Sequence, residues 1–203
     1  VFLWAFLFVF VLCAILFAYF NLPGPAPRGD VQFGVTFSSR FARDLGLDAP
    51  KVLRALFEDL GVRKVRIPVY WDVVERERGR FDFSDIDWQL DMAKQYNAEV
   101  ILAVGQKVPR WPECFVPAWA NTDALKNEAA IRFIQETIGR YKNRSEVSLW
   151  QIENEPFLAF GVCPPISGET LDREVAAARA EDTSRLILTT DSGELSTWIP
   201  AAS

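Results

Sequence analysis

The sequence predicts an α/β fold: a (β/α)8 TIM barrel with about its first five β/α units present, preceded by one apolar transmembrane helix. Three observations lead there. Short apolar runs alternate with helical patterns from Val31 onward, and strict alternation of strand and helix makes a parallel sheet. Polar and aromatic residues gather after several successive strands, as they do on the working face of a barrel. The first strand runs into Ser38-Ser39-Arg40-Phe41, without the Gly-x-Gly turn or phosphate loop by which an open nucleotide-binding sheet declares itself.

Residues 1–20 carry no charge and almost no polarity. About 20 apolar residues can span a bilayer as a helix, whereas signal-peptide cores run to about 7–15 and end at a small-x-small site. No clean site of that kind lies between Phe20 and Asp30, so a retained signal anchor is favoured over a cleaved signal, with the following domain extracytoplasmic. Residues 21–30 are rich in Pro and Gly and read as a linker, and 31–203 as one domain. Val31–Phe37 is the first expected strand. Val52, Leu53, Leu56, Phe57 and Leu60 have helical spacing, and Gly61 stops that helix. The second strand is Lys64–Tyr70. A helix follows from a Ser84 cap to about Asn97, then a strand over Glu99–Val104. Asn121 or Thr122 caps a long helix to Tyr141, Val147–Ile152 is the fourth strand, a helix from Ser167 or Gly168 reaches Ala180, and Leu186–Thr190 is the fifth strand.

The net charge of −5 and the lack of a basic cluster exclude nucleic acid as a partner. Nothing in the sequence demands a metal or another cofactor. The chain has no histidine, so acid/base chemistry near neutral pH falls to carboxyls, Lys, Tyr or Cys. Cys13 lies in the apolar segment, and Cys114 and Cys163 either pair in an oxidising compartment or remain thiols. A start at Val1 and five units where a barrel needs eight predict a sequence truncated at both ends.

The most informative segment is Trp150-Gln151-Ile152-Glu153-Asn154-Glu155-Pro156, which brings carboxyls to the point where a buried strand opens to solvent. Pro156 ends the strand and biases Glu155 toward extended geometry. The chain resembles retaining glycoside hydrolases of the large (β/α)8 clan that carry Asn-Glu-Pro at the end of strand four, among them cellulases, mannanases, xylanases and β-galactosidases. The resemblance covers about Val31 to Pro200. It extends to Arg66-Ile67-Pro68-Val69-Tyr70-Trp71, to Val74-Glu75, to Gly79-Arg80-Phe81-Asp82-Phe83-Ser84 and to Pro109-Arg110-Trp111-Pro112.

That resemblance implies hydrolysis of a β-linked oligo- or polysaccharide. Glu155 is then the general acid/base, Asn154 the hydrogen-bond partner of the sugar 2-hydroxyl, and Arg66 the cation that orients the nucleophile. The nucleophile of the clan is a second Glu after strand seven; Glu194 and Asp191, after strand five, are sugar-hydroxyl ligands at most. Trp71, Trp111 and Trp119 are candidate sugar platforms, Trp88 and Trp150 core residues, and Gln106 and Lys107 candidate donors to sugar hydroxyls. A Cys114–Cys163 disulfide would crown the same barrel face and stiffen the rim. The alternative function is a non-catalytic, membrane-anchored carbohydrate-binding barrel.

Overall fold

The computed structural model describes residues 2–21 and 32–191. The first unit is a helix, α1 (Phe2–Phe20), with no buried residue. It is long and apolar enough to cross a membrane, with a mean hydropathy of 2.7. Nearly all of the linker expected at 21–30 lies outside the described residues.

The second unit begins at Gly34. Its elements run β1 (Val35–Thr36), α2 (Ser39–Asp44), α3 (Ala49–Glu58), β2 (Lys64–Pro68), α4 (Trp71–Val74), α5 (Ser84–Gln95), β3 (Glu99–Val104), α6 (Asp123–Tyr141), β4 (Val147–Ile152), α7 (Gly168–Glu181) and β5 (Leu186–Leu188). The five described strands form one sheet in the order β1-β2-β3-β4-β5, every pairing parallel. Neighbours in sequence are neighbours in the sheet. A doubly wound open sheet reverses its strand order at a switch point, whereas a barrel wall advances one strand at a time.

Local chemistry explains where the helices begin. The Asp48 side chain accepts from Lys51 N, with Pro50 in the first turn of α3. Thr122 caps α6 through Leu125 N, and Ser167 caps α7 through Thr170 N. Ser84 does not cap α5. It is the first helical residue, Phe83 holds the cap position, and the Asp82 carboxylate accepts the Ser84 N–H from outside the helix.

Two short helices were not expected. Ser38 caps α2 by accepting from Phe41 N, so Ser38-Ser39-Arg40-Phe41 is a helix start. Tyr70 leaves β2 to become the cap of α4, which shortens that strand at Pro68. β1 and β5 are also shorter than expected, at Val35–Thr36 and Leu186–Leu188. Both are paired on one side only among the described residues, so fewer ladder bonds hold them extended.

The core lies between the sheet and its helices. Leu53 and Phe57 of α3, Leu90 of α5, and Phe133, Ile134 and Ile138 of α6 pack on Ile67, Leu102 and Trp150 of the strands, all essentially without exposure. Each of these residues removes apolar surface worth about 1.5–3 kcal/mol from water. The strands are thereby fixed, and the loops at their C-terminal ends are free to carry polar groups.

Candidate active site

The site is built where β4 ends. Glu153, Asn154 and Glu155 follow Ile152, and the backbone takes left-handed conformations at Glu153 (φ 58°) and Glu155 (φ 47°). Left-handed geometry costs an L-residue about 1–2 kcal/mol, so the surroundings must impose it. Glu155 N donates to Thr190 Oγ1 at 3.2 Å, Leu158 N donates to Glu155 O at 3.1 Å, and Ile166 N donates to Pro156 O at 2.7 Å. These tertiary bonds override the extended bias that Pro156 places on Glu155. The consequence is a corner: Glu153 is fully buried, Asn154 nearly so, and Glu155 half-buried beside a cleft.

The cleft has a volume of about 570 Å³. Thr36, Arg66, Asn154 and Glu155 line one part of it; Arg110, Trp111, Glu113 and Phe160 line another, and Thr190 and Asp191 complete it. These residues come from β1, β2 and the segments after β3, β4 and β5, which open on the same face of the sheet. Among the described residues no group of three or more His, Cys, Asp or Glu side chains could hold a metal ion.

Arg66 is tied down on several sides. Its Nε donates to Thr36 Oγ1 at 2.9 Å, and its Nη1 donates to Gln151 Oε1 at 3.2 Å and Asn154 Oδ1 at 3.5 Å. Burial and the nearby Arg110 lower its pKa, while Glu155 and Glu113 pull it back up. A guanidinium remains charged through such opposing effects. Asn154 Oδ1 also receives Thr190 Oγ1 at 3.2 Å and Gln151 Nε2 at 3.4 Å. With its oxygen turned to the protein, the amide nitrogen is the end of Asn154 that can donate to a ligand.

Glu113 is a cleft residue that sequence reasoning missed. Burial pushes its carboxyl pKa up, Glu155 adds to the rise, and Lys107 and Arg66 oppose it. Its Oε2 is buried without a hydrogen-bond partner among the described protein atoms. Its backbone is left-handed (φ 54°), and the Cys114–Cys163 disulfide, with Cα atoms 5.0 Å apart, ties its loop to the segment after β4. Gly161 (φ +82°) lets the two loops meet, because a Cβ there would lie 2.4 Å from Pro112 O. No periodicity marks Glu113. The run Pro112-Glu113-Cys114 is its only signal in the sequence.

Five sequence candidates, Arg66, Trp111, Asn154, Glu155 and Asp191, meet in this cleft. Trp111 is 69% exposed, with its ring 5.8 Å from that of Phe160 in an edge arrangement. Trp71 does not belong with them. It is fully buried, stacks on Phe133, and donates its indole N–H to Glu75 Oε2 at 2.8 Å. It is a core residue because α4 turns inward directly after Tyr70. Trp119 packs edge-on against Trp71 and donates to Glu75 O, so it too is occupied away from the cleft.

Gln106 is buried, its Nε2 bound to Glu174 Oε1 at 3.1 Å, and it borders a separate pocket with Cys163 and Thr170. Lys107 is buried with Nζ donating to Leu158 O at 2.7 Å; burial lowers its pKa, while Glu113, Glu153 and Glu155 raise it. It acts as a charge beneath the cleft and not as a donor into it. Glu194 lies outside the described residues.

No protein-family model matches the sequence. The curated β-galactosidase Bga of Halorubrum lacusprofundi is 27% identical over 127 residues, 50% of this chain and 17% of that protein. Among solved structures, GH5_18 from Streptomyces cattleya in complex with GlcNAc superposes with a TM-score of 0.64 at 19% identity, over 81% of this chain and 45% of that one. The described strands and helices thus share the fold of part of the (β/α)8 barrel of these solved structures. Native xylanase 10B from Thermotoga maritima gives a TM-score of 0.59 at 17% identity, over 78% of this chain and 49% of that one. A family 39 glycoside hydrolase from Bacteroides cellulosilyticus gives 0.53 at 16%, over 76% and 31%. The chain thus spans half or less of the length of each of these proteins.

Proposed function

We propose that residues 31–203 form part of a retaining glycoside hydrolase acting on a β-linked glycan, with Glu155 as its general acid/base. The observation that carries the reading is the meeting of Glu155, Asn154 and Arg66 in one cleft at the C-terminal end of the strands. In the first step Glu155 gives its proton to the glycosidic oxygen as the bond to the anomeric carbon breaks. A carboxylate nucleophile takes that carbon as an ester. In the second step water attacks the ester, passes a proton to Glu155, and the nucleophile leaves as a carboxylate. The family pattern assigns the nucleophile to a seventh strand, beyond the five described here, and a retaining pair needs a separation of about 5–5.5 Å.

The other residues support these steps. Asn154, oriented through its oxygen, donates to the sugar 2-hydroxyl. Arg66, held by Thr36 and Gln151, presents a fixed positive charge toward the reacting carboxylates. Trp111 and Phe160 offer exposed aromatic surface at the rim for a pyranose ring. The apolar helix α1 and the Cys114–Cys163 disulfide together favour an extracytoplasmic domain held to a membrane. N-terminal sequencing of the mature protein tests the anchor, since cleavage after α1 would replace it with secretion.

The test of the chemistry is nitrophenol release from a panel of aryl β-glycosides by the full-length protein and by Glu155→Gln. Loss of about 10²–10⁴-fold is expected. Equal rates would remove Glu155 from the mechanism. Sugar binding by the wild type without turnover would make the cleft a carbohydrate-binding site only.

A further inference from the structure

Behind the cleft lies a second acidic centre that the proposed chemistry does not use. Glu153 is fully buried, and its two carboxylate oxygens accept Gln106 N and Lys107 N, each at 2.7 Å. The seat is made to measure: Gly105 has φ +148°, and a Cβ there would lie 2.2 Å from Glu153 Oε1. The carbonyl oxygen of the same Lys107 accepts Asn154 N, 2.8 Å away. Glu153 and Asn154 therefore hold the Lys107 backbone at both its N–H and its C=O. Facing Glu153 is Glu174 of α7, also buried, whose Oε1 accepts Gln106 Nε2 at 3.1 Å and whose Oε2 receives no donor from the described protein atoms.

Two carboxylates in such a place lack a donor between them, and a carboxylic proton supplies one. We propose that Glu153 and Glu174 are a positioning pair that shares one proton, clamps the Asn154–Glu155 corner to the Lys107 peptide, and loosens that corner when the proton is lost. Burial, then the facing carboxylate, pushes Glu153 upward; burial pushes Glu174 up to about 7. The proton belongs to the pair: two backbone N–H groups favour the charge on Glu153, while the bond between the two carboxyls raises Glu153 and lowers Glu174.

The charged groups around the pair are few. Lys107 sees Glu153 from the segment after β3 while its Nζ donates to Leu158 O. On α7, Arg173 faces Glu174 and is itself ion-paired to Glu128 of α6 at 2.5 Å. Glu113 and Glu155 act on Lys107 from the cleft side.

The sign of the pH effect follows. An unfolded Glu ionises at about 4.3. Between that pH and about 7 the folded chain holds a proton that the unfolded chain has released. Stability therefore falls as pH rises across this window and levels off above it.

The proposal does not depend on glycoside hydrolysis, because it is read from stability and exchange. Thermal unfolding of the full-length chain in detergent is followed from pH 4.5 to 8.5 for wild type and Glu174→Gln. The glutamine donates to Glu153 without titrating. The wild type is expected to lose on the order of 5–10 °C more in Tm across the window than the variant. Exchange of the Lys107 and Asn154 amides, corrected for intrinsic rates, should accelerate over the same window in the wild type alone. Equal pH slopes in the two proteins would overturn the pair. Should Glu174→Gln fail to fold, carbon NMR titration of Glu174 in the wild type decides: a midpoint near 7 upholds the pair, one near 4.5 overturns it.

Discussion

Glu153 and Glu155 stand two residues apart, and both have left-handed backbone, yet they occupy opposite environments. Glu153 is sealed, and two amide N–H groups, Gly105 and Glu174 leave it one position. Glu155 borders a cleft with Arg66, Glu113 and Trp111. The same contrast divides the tryptophans, with Trp71 fully buried and Trp111 69% exposed. The buried members are enclosed by the protein, and the exposed members border the cleft. A carboxylate's role in this crown is decided by which side of the corner it falls on.

Four substitutions probe that division, ordered by expected loss of stability. Trp71→Ala removes a fully buried indole and should cost about 3–5 kcal/mol in denaturant unfolding. A loss below about 1 kcal/mol would show that α4 is not part of the core. Glu153→Gln sets an amide against two backbone donors and should cost about 3 kcal/mol. Gly105→Ala drives a methyl group into the Glu153 carboxyl and should cost about 2 kcal/mol or more by the same measurement. Glu155→Gln is the counterpart: its stability should stay within about 0.5 kcal/mol of wild type while turnover collapses. If Glu155→Gln unfolds the protein as Glu153→Gln does, the contrast between the two carboxylates fails.

The smallest effect on stability belongs to the rim. Trp111→Ala should leave unfolding within about 0.5 kcal/mol of wild type and weaken sugar binding by roughly 1 kcal/mol, about fivefold in Kd. Unchanged affinity would remove Trp111 from the binding surface. A large loss of stability would place it with Trp71.

Much of the fold was legible from the sequence because its signals are local. The strands Glu99–Val104 and Val147–Ile152 have the boundaries that their apolar runs predict, and Thr122 and Ser167 cap the helices that follow. The alternation of elements and the absence of a phosphate loop selected the barrel over the open sheet. The site was legible in part. Arg66, within β2, stands 88 residues before Asn154 at the end of β4, and the parallel sheet brings Arg66 together with Asn154 and Glu155. Trp71, Trp119, Gln106 and Lys107 lie in equivalent sequence positions and yet turn away. A position after a strand fixes the face of the sheet, not the direction of the side chain.

The order of elements, the sheet that this order builds, and the segment after the fourth strand where carboxyls meet solvent are all written in the chain. Periodicity, caps and turns are short-range properties, and they are written in neighbouring residues. Which carboxyl faces which environment is set by contacts in three dimensions. Glu113 enters the cleft because Cys163, 49 residues away, fixes its loop, and Glu153 leaves it because the Gln106 and Lys107 amides and Glu174 enclose it. Those contacts join segments far apart in the chain, and burial and charge act through space.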